Sequence, residues 1–207
     1  MINFARHTRL AAVALAAVLL CAGSPSASAD ENEGLTIDEQ IAQPVISAKA
    51  TAPLVRHFER MGNVFDKHGL KTAYERKGQV LCVTIPASKL FGPNETNLSK
   101  GASKYLSAFR DLVKLPQFYR VLVVVHSDST GDKTYSEELT QDRAYSIIEY
   151  FENYLHRDDL NLIPYGVGYE EPLMPDTSIG SRAANRRVDF YIIPEPDLIE
   201  QARSGHL

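Results

Sequence analysis

Residues 121–132 read VLVVVHSDSTGD, and they give the clearest indication of the fold. Its first five residues are aliphatic, a run that is typical of a central strand buried on both faces of a sheet. The polar residues that follow predict a loop at the end of this strand. Further on, Thr134 and Glu137 have the spacing of a capping box, which predicts that a helix starts there.

On both sides of this stretch the hydrophobic pattern alternates between helix and strand periods. Glycine and proline residues mark the ends of most of these segments. This order of elements predicts an α/β sandwich, with helices packed over a small sheet. The predicted strands are residues 80–85, 121–125, 162–167 and 188–193, and the predicted helices are residues 53–68, residues 97–115 and a helix from Thr134.

The composition of the chain excludes several classes of protein. Its 207 residues include 22 Lys and Arg against 26 Asp and Glu, for a formal net charge of −4. Nucleic-acid binding is not expected, because it needs an excess of basic residues to replace the counter-ions of the phosphates. Cys82 lies within an apolar strand and is expected to be a buried free thiol.

The first 29 residues have the pattern of a secretory signal peptide. Arg6 and Arg9 precede an apolar run that is too short to span a bilayer, and Ala27-Ser28-Ala29 is a cleavage site. Cleavage after Ala29 is the preferred interpretation. A retained N-terminus and a lipid at Cys21 remain open.

The mature chain divides into four predicted segments. An acidic stretch without firm periodicity is expected to be a flexible lead, and a helical segment follows it. The α/β domain comes next, and the chain ends in a polar, mobile tail. These segments are residues 30–52, 53–77, 78–194 and 195–207.

One charged residue interrupts the apolar stripe of the helix that follows Thr134. Arg143 stands four residues after Leu139 and four before Ile147, so it faces the core. A buried guanidinium needs a partner, and Asp128, in the loop after the central strand, is the obvious candidate. A carboxylate beside a guanidinium can hold a zwitterion such as an amino-acid head group. The alternative is a salt bridge that locks the loop to the helix.

Three arginines close together, Arg182, Arg186 and Arg187, lead into the last strand and favour a binding site. The alternative is a solvated edge charge that prevents strand pairing. No metal site is predicted, because no cluster of His, Asp and Cys has ligand spacing. A serine hydrolase is not predicted either, because the chain lacks a Gly-x-Ser-x-Gly elbow.

Four ordered blocks of sequence resemble OmpA-like domains. Residues 124–131, VVHSDSTG, resemble the GHTD-x-x-G segment of that family, and residues 139–144, LTQDRA, resemble its LS-x-x-RA segment. Residues 165–172 and 182–188 resemble GYGE-x-x-P and R-x-x-NRRV. The resemblance covers the predicted domain at residues 78–194.

The resemblance implies a βαβαβ–β sandwich with a mixed four-stranded sheet, and non-covalent binding of peptidoglycan through the diaminopimelate of its stem peptide. It implies that Asp128 takes an ammonium group of diaminopimelate and Arg143 a carboxylate. Arg186 and Arg187 correspond to the arginine pair of the family near the same groove. Asn94 corresponds to a polar position that often lines the pocket.

The chain also departs from the family pattern. Gly92 stands where the family usually has Asp, and Ser136 where it commonly has Asn. Val125 and Ser127 replace the Gly and Thr on either side of His126. Each change could retune the pocket, but none removes Asp128 or Arg143.

The resemblance therefore implies a binding module without catalysis or cofactor, which anchors or positions an envelope component. It implies a location in the periplasm, or at the periplasmic face of the outer membrane, of a double-membrane bacterium. Peptidoglycan is the expected partner, other envelope proteins remain open as partners, and no spanning helix is expected in the mature chain. The alternative is an interaction or scaffold subunit that keeps the fold without binding the wall.

Overall fold

The valine-rich run forms a fully buried strand inside a five-stranded sheet. The computed structural model describes residues 34–207, so the predicted signal peptide at residues 1–29 lies outside the described residues. The sheet order is β1-β2-β5-β3-β4, in which β3 and β4 pair parallel and the other neighbours pair antiparallel. The strands are β1 (Lys71–Glu75), β2 (Val80–Pro86), β3 (Tyr119–His126), β4 (Leu162–Gly166) and β5 (Arg187–Pro194).

Helices cover one face of this sheet and enclose the main core. A 3-10 turn at Ser107–Phe109 joins two of them. The helices are α1 (Ile37–Ala42), α2 (Ala48–Lys67), α3 (Ser103–Leu106), α4 (Arg110–Val113), α5 (Lys133–Leu155), α6 (Ile179–Asn185) and α7 (Pro196–Ser204). The predicted α/β sandwich is thus correct, although its sheet has five strands rather than four.

The additional strand is β1, which lies within the predicted helical segment 53–77. It forms the edge of the sheet and pairs with β2 alone. Its side chains alternate poorly between exposed and half-buried positions, so its sequence carries no strand pattern.

Helix α1 packs on the other face of the sheet, which corrects the prediction of a flexible lead at residues 30–52 for the part that contains this helix, Ile37–Ala42. Thr36 and Glu39 form a capping box that starts this helix. Ile37 and Ile41, one helical turn apart, pack against apolar residues of β2–β5. The buried guanidinium of Arg120 donates to Gln40 Oε1 at 2.7 Å.

The predicted mobile tail at residues 195–207 is also wrong, because it contains α7. Pro196 occupies the first turn, where a missing N–H costs nothing. Leu198 and Ala202, four residues apart, are buried in the main core. Burial of this apolar stripe holds the segment in place.

Three helix starts differ from their predicted positions. Helix α2 begins at Ala48, so Pro53 lies inside it, and α3 begins at Ser103 rather than near Asn97. The N-cap of α5 is Asp132 instead of Thr134. None of the helices in residues 34–207 combines the length and hydropathy that crossing a bilayer requires.

Gly166, at the end of β4, lets the backbone of α5 come close to the sheet. A Cβ atom at this position would lie 2.1 Å from the backbone nitrogen of Gln141. The amide of Gly166 donates to Gln141 Oε1 at 2.8 Å. This contact sets the distance of α5, and therefore of Arg143, from the C-terminal ends of β3 and β4.

Candidate ligand-binding site

Asp128 lies in a tight turn directly after β3. The amide of Ser127 donates to the carbonyl of Gly168 at 2.7 Å, which ties the start of the turn to the loop after β4. The amide of Thr130 donates to Asp128 Oδ1 at 3.0 Å, and the Thr130 hydroxyl donates to the same oxygen. One carboxylate oxygen is therefore held within the turn, and the other points away from these donors.

That second oxygen, Oδ2, accepts a hydrogen bond from the guanidinium of Arg186. The side chain of Asp128 is 7% exposed, whereas that of Arg186 is 43% exposed. Burial raises the pKa of Asp128, but the hydrogen bonds from Thr130 and Arg186 outweigh burial and hold the pKa below its usual value. Asp128 is thus a largely buried carboxylate that stays ionised, with a cation at its solvent side.

Arg143 faces the core, as its spacing predicts, and is 5% exposed. However, the predicted ion pair with Asp128 is not formed within the described part of the chain. Arg143 Nε donates to the carbonyl of Glu95 at 2.8 Å, and Nη2 to that of Gly92 at 3.1 Å. Its guanidinium also lies 4.9 Å from the ring centre of Phe91.

The turn at residues 92–95 supplies these carbonyls because of its backbone geometry. The amide of Glu95 donates to the carbonyl of Gly92 at 3.2 Å, which closes the turn. Asn94 lies at its exposed tip with a φ of 56°, a conformation that Asn tolerates well. Neutral carbonyls hold Arg143, so its positive charge is not cancelled by a carboxylate.

The charge of Arg186 acts on Arg143 although the two residues come from different elements. Burial lowers the pKa of Arg143, and the positive charge of Arg186 lowers it further. Tyr135, half exposed in the first turn of α5, acts in the opposite direction. The structure thus joins Asp128 to Arg186 by an ion pair, and the charge of Arg186 in turn acts on Arg143.

Arg187, which the sequence predicts at the pocket, has its guanidinium in a buried hydrogen-bond cluster. It is 3% exposed and donates to Asp189 Oδ2 at 2.8 Å and to the carbonyl of Glu171 at 3.2 Å. His126 Nε2 lies 3.3 Å from the same carboxylate oxygen. These residues form a buried polar cluster on the sheet.

Sequence reasoning missed two side chains that shape the Asp128 turn. Thr130 stands two residues after Asp128, and this Asp-x-Thr pattern is typical of a turn in which the carboxylate accepts the later amide. Asp176 accepts from the amide of Ser129 at 2.5 Å, and no local pattern could have indicated this contact across 47 positions.

The arrangement can bind a ligand that carries both charges. Asp128 offers acceptor oxygens for an ammonium group, and the exposed guanidinium of Arg186 can donate to a carboxylate. The buried charge of Arg143 adds positive potential on the same side. Among residues 34–207, no three His, Cys, Asp or Glu side chains converge as metal ligands would.

Comparison with known proteins agrees with this fold. Residues 90–186 match the sequence model of the OmpA family. A MotB-like protein from Desulfovibrio vulgaris has a TM-score of 0.60 at 23% identity, over 70% of this chain and 96% of its own. The cell wall anchor of the T6SS from Pseudomonas aeruginosa has a TM-score of 0.55 at 24% identity, over 67% and 97% of the two chains.

The periplasmic domain of Helicobacter pylori MotB is also similar, with a TM-score of 0.53 at 21% identity. That match covers 71% of this chain and 90% of the other. No curated protein matches the sequence. At these identities the solved structures establish the fold.

Proposed function

The chain contains an OmpA-family domain at residues 90–186, and on this premise we propose that the protein binds peptidoglycan non-covalently and so anchors or positions a component of the cell envelope. The ligand group is the zwitterionic end of the diaminopimelate in the stem peptide. The observation that carries this proposal is the ionised Asp128 in contact with the partly exposed guanidinium of Arg186, whose charge also acts on the buried Arg143.

The ammonium group of diaminopimelate binds at Asp128. Its Oδ1 is already saturated by Thr130, so the ammonium group takes Oδ2, the oxygen that Arg186 occupies in the free protein. A charge-assisted bond of this kind contributes about 1.5–3 kcal/mol. The ligand therefore exchanges one cation at Oδ2 for another.

This exchange costs little because Arg186 is 43% exposed. Solvent around the guanidinium screens this ion pair, so it stabilises the protein less than a fully buried pair would. Once released, the guanidinium of Arg186 can turn to the carboxylate of the same diaminopimelate, where it forms a two-point contact. The positive charge of Arg143, held by backbone carbonyls, favours the carboxylate in this position.

Similar solved structures and the predicted signal peptide support the same function. A protein named as a cell wall anchor shares this fold over nearly its whole length. Peptidoglycan lies in the periplasm of a double-membrane bacterium, and a cleaved signal at residues 1–29 would deliver the protein there. Asn94, at the tip of the turn that holds Arg143, is proposed to line the rim of the site. Arg187 is not part of the proposed site, because its donors are used inside the buried cluster.

The proposal is tested by co-sedimentation of residues 30–207 with insoluble peptidoglycan. We expect the protein to pellet, free diaminopimelate to compete, and Asp128→Asn to remain in the supernatant. Failure of the folded wild-type protein to pellet would contradict the proposal.

The second candidate is an envelope interaction or scaffold subunit without wall binding. It is favoured by one observation, namely that Thr130 and Arg186 already satisfy both oxygens of Asp128 without a ligand. In that case, substitution of Asp128 would affect stability alone. The sedimentation experiment separates the two functions, because a scaffold has no reason to respond to diaminopimelate.

A further inference from the structure

The loop between β4 and α6 contains a second carboxylate that touches the Asp128 turn. Asp176 Oδ2 accepts from the backbone amide of Ser129 at 2.5 Å. Its other oxygen, Oδ1, accepts from the side-chain amide of Asn185. Asp176 thus connects the residue next to Asp128 with the end of helix α6.

The α6 side of this connection is held by several hydrogen bonds of one side chain. Asn185 is completely buried, and its Oδ1 accepts from the amides of Leu173 and Met174 at 2.9 and 3.2 Å. Its Nδ2 donates to the carbonyl of Met174 at 2.8 Å and to Asp176. One side chain therefore clamps the loop at residues 173–176 onto the helix whose next residue, Arg186, contacts Asp128.

We propose that Asp176 is a positioning residue for the ligand site, which fixes the Ser129 amide and so aims the carboxylate of Asp128 at the ligand. This inference rests on the proposed function and assigns a residue that the predicted site did not include.

The geometry of the turn supports this role. The amides on both sides of Asp128 are held by groups from the loop after β4: Ser127 by the carbonyl of Gly168, and Ser129 by Asp176. The Ser127–Gly168 contact is a bond between backbone groups, whereas the Ser129 amide is held by a side chain. Substitution of Asp176 can therefore break the second contact and leave the first in place. A ligand-binding side chain that loses such support binds its ligand more weakly, although its own functional group is unchanged.

The charge state of Asp176 is consistent with two accepted hydrogen bonds. Burial raises its pKa, but the hydrogen bonds from Ser129 and Asn185 outweigh burial and lower it. The nearby charge of Asp128 raises the pKa slightly in turn. Asp176 is therefore ionised at neutral pH, and both of its oxygens act as acceptors.

The test is the substitution Asp176→Asn in the chain of residues 30–207. An amide has one acceptor oxygen, so it can satisfy either Ser129 or Asn185 and presents a donor to the other. We expect the Kd for free diaminopimelate, titrated by NMR, to rise about tenfold. Hydrogen exchange of the Ser129 amide should accelerate at the same time. Asp158→Asn, which removes the same charge from an exposed turn, should leave the Kd unchanged.

A double-mutant cycle separates positioning from a general structural effect. If Asp176 acts through Asp128, then Asp176→Asn added to Asp128→Asn should change the Kd by less than about twofold, whereas independent effects would multiply. If Asp176→Asn does not fold, Asp176→Glu, which keeps two acceptors on a longer arm, is titrated in its place, with a smaller increase in Kd expected.

The outcomes distinguish the inference from the proposed function. A wild-type protein that does not bind diaminopimelate or peptidoglycan overturns the proposed function and the inference that rests on it. A wild-type protein that binds, together with an Asp176→Asn variant of equal affinity or with multiplicative effects in the cycle, overturns the inference alone.

Discussion

Replacing Asp128 with Asn removes the charge at the centre of the proposed site while it leaves the shape of the side chain almost unchanged. The amide oxygen can still accept both hydrogen bonds from Thr130. The amide nitrogen then takes the place of Oδ2, where it faces the guanidinium of Arg186 with a donor instead of an acceptor. An incoming ammonium group meets the same donor.

The expected magnitudes differ strongly between binding and stability. The loss of one charge-assisted bond of about 1.5–3 kcal/mol weakens binding roughly tenfold to a hundredfold. The Asp128–Arg186 pair contributes much less to folding, because Arg186 is 43% exposed. We therefore expect the free energy of unfolding to fall by about 1 kcal/mol, which is less than the expected loss in binding.

Two assays on the same samples measure this difference. Competition of free diaminopimelate against insoluble peptidoglycan gives the affinity, and urea denaturation gives the free energy of unfolding. Asp158→Asn, with the same change of net charge at an exposed position, controls for attraction between the protein and the charged wall. It should match the wild-type protein in both assays.

Equal wall binding by a folded Asp128→Asn variant would refute the assignment of Asp128 as the ammonium acceptor. A loss of binding that only follows a loss of folded protein would refute it as well, since Asp128 would then have a structural role. The pH dependence of binding gives a further check. Because the pKa of Asp128 is lowered, binding should stay constant as the pH falls towards about 4 and decline only below it.

Three other substitutions test the site and its support. Arg143→Lys keeps the charge but cannot donate to two carbonyls in one plane, so diaminopimelate competition should show about a tenfold loss of affinity. Asp189→Asn leaves the guanidinium of Arg187 buried without its charge partner. Urea denaturation at neutral pH should therefore show that the free energy of unfolding falls by about 3–5 kcal/mol. The pKa of Asp189 is lowered to about 2, so the ionised carboxylate contributes roughly 2 kcal/mol to the free energy of unfolding above pH ~4. This contribution disappears as the pH falls towards 2. The Asp189→Asn variant should lack this acid limb, that is, this fall in stability at low pH. Gly166→Ala places a Cβ 2.1 Å from the backbone of Gln141. We expect the free energy of unfolding to fall by about 1–3 kcal/mol or more, which a lower thermal midpoint would show.

Matched controls make these results decisive. Arg157→Lys, at an ion pair on the surface, is the control for Arg143→Lys and should leave the affinity for diaminopimelate unchanged. Gly101→Ala, where a Cβ meets no atom within 4 Å, is the control for Gly166→Ala and should leave the thermal midpoint unchanged. Wild-type affinity for Arg143→Lys, an intact acid limb in Asp189→Asn, or an unchanged midpoint for Gly166→Ala would contradict the respective reasoning.

The central features of the fold could be predicted because they depend on local pattern. The aliphatic run of β3 is buried on both faces, so every position had to be apolar. The buried position of Arg143 followed in the same way from its spacing within α5. By contrast, β1 is an edge strand with solvent on one side, and its five residues carry no alternation that could reveal it.

The two ends of the described chain were misjudged for a different reason. Helices α1 and α7 are short and largely polar, and they are stable only because each places a pair of apolar residues against the rest of the domain. Short helices gain little from intrinsic propensity and depend on such packing. No sequence window of that length reveals whether a complementary surface exists.

Residue type and helical period were enough to single out Asp128 and to predict which side of its helix Arg143 occupies. The hydrogen-bond partners of these residues could be seen in the folded structure alone. It joined Asp128 to Arg186 rather than to Arg143, and it gave Arg143 two backbone carbonyls from a turn 48 and 51 positions away. The physical reason is that an ion pair needs contact within a few ångströms, and contacts between distant loops are set by how the whole sheet and its helices pack.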